Sequence, residues 1–224
     1  MSADQLTIPR PDDWHLHLRD GPMLAAVLPH TAARVARALV MAHPKAPVTS
    51  TAAARAYRER ILAALPADAV FEPLMTLYLT DNTTPAEIER ARASGFVKAV
   101  KYYPAGATTN SDAGVTDMRR TEDTLAAMAE AGLPLLVHGE VTDPDVDVFD
   151  RERVFIERLL APLAERLPSL RIVLEHVTTA DGVRFVAEGR EGLAATITPQ
   201  HLLLNRNALF EGGLRPHRYC LPVL

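Results

Sequence analysis

Cysteine is almost missing from this chain: Cys220 is the only one in 224 residues. That removes a disulfide framework and a thiolate metal cluster, and it fits a reducing compartment. Any bound metal must rely on His, carboxylate or some rarer ligand. Long apolar runs are also lacking. None approaches the roughly 20 residues that span a bilayer, and the first residues lack the basic-then-apolar pattern of a signal peptide. The expectation is a cytoplasmic protein with no membrane partner. Charge of one sign is not in excess: 24 Lys and Arg face 28 Asp and Glu, for a net charge of −4. With no basic stripe, nucleic acid is not an expected partner either. No linker or low-complexity tract divides the chain, and no Gly-rich dinucleotide fingerprint follows the first strand.

What is present is a repeating alternation. Hydrophobic residues make up 48% of the chain, enough for one domain over residues 1–224. Short Val, Leu and Ile runs predict strands over Leu6–Leu18, Arg37–Met41, Phe71–Leu79, Val97–Tyr102, Leu135–His138, Ile172–His176 and Leu193–Ile197. Segments of helical periodicity lie between them over Thr51–Leu65, Thr84–Ala93, Thr121–Ala131, Asp150–Leu167 and Ala180–Glu188. Thr84-Pro85 reads as a capped helix start, and Gly95 and Gly132 as left-handed stops. Each strand-to-strand step takes about 30 residues, the length of a βα unit. The predicted fold class is α/β, a TIM (β/α)8 barrel. Seven strands are found where a barrel needs eight, so the barrel is expected to be truncated before strand eight.

The polar residues that interrupt this pattern fall at strand ends. His15 and His17 flank one apolar residue, so on a strand they point to the same side, a spacing that suits a metal. Alone, the pair is as readily a hydrogen-bonded structural feature. Lys101 closes strand four, His138 strand five and His176 strand six. In a TIM barrel the chemistry sits at the C-terminal ends of the strands, so these five side chains are predicted to converge. A lysine among imidazoles and a nearby dication is driven towards its neutral amine. That amine can add carbon dioxide, giving a carbamate whose two oxygens can bridge two metals. The Pro104–Gly114 segment, small and polar, reads as a lid or an ordinary surface loop.

This set, with Val137-His-Gly-Glu-Val-Thr142, Thr196-Ile-Thr-Pro-Gln-His201, Asn205-Arg-Asn207 and Gly212-Gly-Leu-Arg-Pro-His217, resembles the amidohydrolase superfamily, and within it the bacterial-type (class II) dihydroorotase family. The resemblance covers nearly the whole chain. It implies two zinc ions per subunit, one on His15 and His17, the other on His138 and His176, bridged by N6-carboxylated Lys101. It implies reversible interconversion of dihydroorotate and N-carbamoyl-L-aspartate in pyrimidine biosynthesis, with a metal-bridging hydroxide attacking the ring amide. Arg19 would pair with the substrate carboxylate, Thr108 and Thr109 would bond substrate from a covering loop, and Leu221 would present backbone groups to the pyrimidine edge. The expected assembly is a homodimer acting on a small molecule.

Two departures qualify this. His43 stands where the family usually places a substrate-binding Asn. The proton-transferring Asp of strand eight is expected beyond Leu224, so no catalytic base is assigned within the chain. Two other readings therefore stay open: an incomplete barrel or fragment that works through association, and a hydrolase of another cyclic amide.

Overall fold

A computed structural model describes residues 6–42 and 45–223. Seven parallel strands form one sheet in chain order. They are β1 Asp12–Leu16, β2 Arg37–Val40, β3 Glu72–Tyr78, β4 Val97–Tyr102, β5 Leu135–Val137, β6 Ile172–Leu174 and β7 Leu193–Ala195. The intervening helices are α1 Gly21–Ala32, α2 Thr51–Ala63, α3 Pro85–Ser94, α4 Glu122–Ala131, α5 Arg151–Phe155, α6 Ala161–Arg166 and α7 Ala180–Ala187, with a short α8 Pro199–Leu203 after β7. The sheet is a curled, incomplete TIM barrel. Among the described residues β7 does not pair with β1.

Local chemistry sets the helix ends. Thr84 accepts from Glu87 N ahead of Pro85, and Gly95 closes α3 at φ 74°, a left-handed conformation that costs glycine little. The run predicted over Asp150–Leu167 is helical throughout but not uniformly α: a π turn over Ile156–Leu160 separates α5 from α6. Pro162 explains the break, because it has no N–H for the carbonyl four residues back and its ring crowds that turn. The predicted first strand is shortened. Residues 6–10 take no regular structure and β1 begins at Asp12.

The apolar residues divide into two clusters. The larger lies between sheet and helices and includes Leu77, Val100, Leu135, Val137, Phe155 and Leu174. The smaller, Leu39, Met41, Leu74, Ala99 and Leu136 with Val173 packed against it, comes from alternate residues of the same strands and lines the inside of the curl. Fully burying such side chains stabilises by about 1.5–3 kcal/mol each. These two apolar layers keep the strands in register and so fix where their ends point.

Candidate active site

The inner wall turns polar in one step. Two residues beyond Leu74, Ala99, Leu136 and Val173, on the same face by the strand period, stand Thr76, Lys101, His138 and Glu175. All four are buried. Thr76 Oγ1 donates to Val40 O at 2.8 Å. Lys101 Nζ is ion-paired to Glu175 Oε2, and Glu175 Oε1 lies 2.9 Å from His15 Nδ1.

The β1 histidines arrive by a slightly different route. The register runs Asp13 to Ala38, then Leu16 to Val40, so β1 carries one extra residue, a bulge of the kind that re-aims side chains beside active sites. His15 Nε2 and His17 Nε2 meet at 3.1 Å. His176 follows Glu175 directly, and on a regular strand the two would face opposite sides. Its backbone instead turns to φ 45°, a left-handed conformation costing about 1–3 kcal/mol for a non-glycine residue. The turn brings its ring to 5.1 Å from that of His15 and 4.9 Å from that of His138, centroid to centroid.

Burial sets the charge states. It pushes His138 below the ordinary histidine value, with the Glu140 carboxylate opposing. His138 Nε2 and Glu140 Oε2 are 2.5 Å apart. Burial pushes His176 well below that value, aided by the charges of Lys101, His138, His15 and His201. Both imidazoles are thus held neutral, the form that ligates metals. Burial also lowers Lys101, against the pull of Glu175. Glu175 itself is lowered: burial raises it, but the charges of Lys101 and His15 outweigh that.

The five predicted metal ligands, His15, His17, Lys101, His138 and His176, are therefore brought to one place. Arg19 stands at the same mouth. It is exposed, sits at φ 60°, and its carbonyl accepts from Tyr57 Oη. Its charge reaches Tyr103, whose hydroxyl is pushed up mainly by burial, with Arg19 opposing. In the loop, Thr108 N donates to Ser111 Oγ at 2.9 Å and the Ser111 hydroxyl returns a bond to Thr108 O at 2.6 Å. Thr108 is half-buried and Thr109 exposed. Neither hydroxyl bonds to the histidine cluster among the described residues. Leu221 precedes Pro222, whose carbonyl lies 3.1 Å from His201 Nε2. His43 lies outside the described residues. Glu175 and Glu140 were not anticipated, although Glu175 continues the inward alternation from Val173 and Glu140 that from His138.

The donor set suits a metal. One ligand atom from each of His15, Glu175 and His176 lies within 4.8 Å of the others. His176 Nδ1 is buried with no hydrogen-bond partner among the described residues. A curled parallel sheet that gathers histidines, a lysine and carboxylates at the C-terminal ends of its strands is the arrangement of an α/β barrel with a candidate metal-binding site at its mouth. The amidohydrolase family model matches residues 12–221, and the chain belongs to the amidohydrolase family. It is 66% identical over 220 residues to a dihydroorotase of Microcystis aeruginosa, covering 98% of this chain and 64% of that protein. Among solved structures it resembles dihydroorotase from Campylobacter jejuni, with TM-score 0.87 and 38% identity over 96% of this chain and 61% of the other. It also resembles dihydroorotase from Saccharomyces cerevisiae in complex with 5-fluoroorotic acid, with TM-score 0.84 and 31% identity over 95% and 61%. The chain thus spans 64% of the length of the curated relative.

Proposed function

We propose that this chain carries the metal centre of a zinc-dependent dihydroorotase, opening and closing the dihydroorotate ring, in a cytoplasmic homodimer. The observation that carries the reading is the meeting of His15, His17, Lys101, His138 and His176 at one sheet end, in a chain 66% identical to a dihydroorotase. His15 and His17 would hold one ion and His138 and His176 the other, with carboxylated Lys101 between them. When bound, the ions polarise the amide carbonyl and make a water nucleophilic near neutral pH.

The chain's own residues do the rest. Burial pulls Lys101 towards its neutral amine against the Glu175 carboxylate, and the amine, once deprotonated, would add carbon dioxide with loss of a further proton to give the carbamate. Glu175 holds the unmodified ammonium and turns its other oxygen to His15, orienting that ring. Arg19 presents a planar fork to the substrate carboxylate. Thr108 and Thr109, on a loop whose central turn is tied through Ser111, would bond substrate and keep water out as the loop settles over it. Proton transfer to the leaving nitrogen is assigned to no residue of this chain.

Loading the protein with zinc in 13C-bicarbonate tests this. Two zinc ions per chain and a carbamate carbon signal that disappears in Lys101→Ala are expected, with turnover of dihydroorotate in preference to hydantoin by the whole gene product. Zinc uptake unchanged in His15→Ala and His176→Ala, or no dihydroorotate turnover by the whole gene product, would sink the assignment.

A further inference from the structure

His176 reaches the cluster only because the chain turns sharply after Glu175, and something must hold that turn. Four consecutive backbone N–H groups are involved, and two residues serve them all. His176 N donates to Thr196 Oγ1 at 2.9 Å, and Val177 N to Thr196 O at 3.0 Å. Thr178 N donates to Glu152 Oε2 at 3.1 Å, and Thr179 N to Glu152 Oε1 at 2.9 Å. The Thr179 hydroxyl also donates to Glu152 Oε1, at 2.6 Å, and accepts from Gly182 N at 3.0 Å. Glu152 therefore ties the turn to α5 on one side and to the first turn of α7 on the other.

We propose that Glu152 is a positioning residue for His176: its buried carboxylate fixes the left-handed turn that lets a strand-six histidine join the inner-wall cluster. The inference rests on the metal-centre reading for its functional meaning, while the turn itself is independent of it. A left-handed conformation at a non-glycine residue persists only where the surroundings over-determine it, and Glu152 supplies that on the far side from Thr196. Glu152 is 2% exposed and pairs with no cation among the described residues. Its neighbours Val154 and Phe155 fill the core with apolar groups. If burial were its only task, an apolar residue would serve without the desolvation cost. Burial in fact raises its carboxyl above the ordinary value, with the Thr178 and Thr179 donors opposing. Gly182 is part of the same device, since a Cβ there would stand 2.7 Å from Glu152 Oε1.

The test compares wild type with Glu152→Ala, Glu152→Gln and Gly182→Ala. Amide hydrogen exchange of metal-free protein is followed over residues 176–182, and zinc affinity is measured by competition with a chelating dye. In Glu152→Ala the amides of Val177, Thr178 and Thr179 should exchange at least about tenfold faster while β4 and β5 keep their protection. The weaker of two zinc equivalents should lose about 10–100-fold in affinity, the usual effect of removing a group that orients a ligand. Glu152→Gln keeps an oxygen for Thr179 but turns a donor towards Thr178 N, so its effects should be smaller. It and Gly182→Ala also decide the matter if the alanine variant fails to fold. Exchange within twofold of wild type in these variants overturns the inference, as does unchanged zinc affinity where wild type binds zinc. A wild type that binds no zinc overturns the metal-centre reading, and the exchange measurement then still decides whether Glu152 holds the turn.

Discussion

Glu175→Gln should destabilise the metal-free protein by about 3–5 kcal/mol at pH 7, a typical cost of removing one partner of a buried ion pair. Both Lys101 and Glu175 have fully buried side chains, so water cannot replace the lost carboxylate. Lys101 limits the damage by giving up its proton. Releasing a proton at pH 7 from a lysine that ordinarily titrates near 10.4 costs roughly 4.6 kcal/mol, and this sets the ceiling. That ceiling of roughly 4.6 kcal/mol falls inside the range expected for a broken buried pair, and the two separate with pH. In the variant the folded-state value of Lys101 falls far below its unfolded value, so across that window the unfolded chain binds more protons. Stability then rises with pH, by up to about 1.4 kcal/mol per unit, until the ordinary lysine value is reached.

Urea unfolding followed by circular dichroism at pH 7, 8 and 9, with chelator present, measures both quantities. Lys101→Met combined with Glu175→Gln should recover most of the loss, since replacing both partners of a buried pair is often close to neutral. With Lys101→Met alone as the third variant, the set closes a cycle with wild type whose coupling term isolates the pair. A loss below about 1 kcal/mol without pH slope, against the expected buried-pair cost, would refute the reasoning. Additive losses in the double variant would do the same.

Phe155→Ala should cost about 3–5 kcal/mol, because the ring is fully buried and lies 5.9 Å from that of Tyr102, centroid to centroid; a melt retaining wild-type stability would contradict that packing. Gly139→Ala places a methyl 2.6 Å from Leu174 Cδ1 and 3.5 Å from Phe155 Cδ1, and should destabilise by about 1–3 kcal/mol through overpacking. The same unfolding assay reads it, with a change below the scatter counting against the geometry. Glu152 carries a pH signature of opposite sign to that of a salt-bridged acid. Its folded-state value is raised above 4.5, so the folded protein binds the extra proton just above that pH. Its contribution to stability falls as pH rises through the window. Glu152→Gln should therefore gain stability relative to wild type as pH rises above 4.5, and parallel pH profiles for the two proteins would count against it.

The strands were legible because a buried parallel sheet needs near-continuous apolar runs, and these recur at even spacing. The ends were harder. The first apolar run begins at Leu6, yet β1 pairs only from Asp12, because Pro9 and Pro11 lack the backbone N–H that a ladder needs. Likewise, the Asp150–Leu167 helix reads as one periodic segment, and its π turn follows from Pro162, whose effect a count of apolar positions does not register. α1, with Pro22 at its start and Pro29 within it, gives too mixed a pattern to read with confidence from periodicity.

The site shows the same division between short-range rule and long-range contact. Lys101 and His138 were legible because each continues its strand's inward alternation. That rule, applied to β6, selects Glu175 from Val173 and points away from His176. His176 stands out only by its chemistry, and the structure includes both residues by breaking the strand period between them. Such a break has a cost that no neighbouring residue in sequence offsets. The groups that hold it, Thr196 and Glu152, lie 20 and 24 residues from His176. One strand end can therefore contribute two adjacent groups to the same site only where other elements secure the turn. In this chain Thr196 does so from beyond β7 and Glu152 from α5, so the β6 contribution to the site depends on contacts that local pattern cannot reveal.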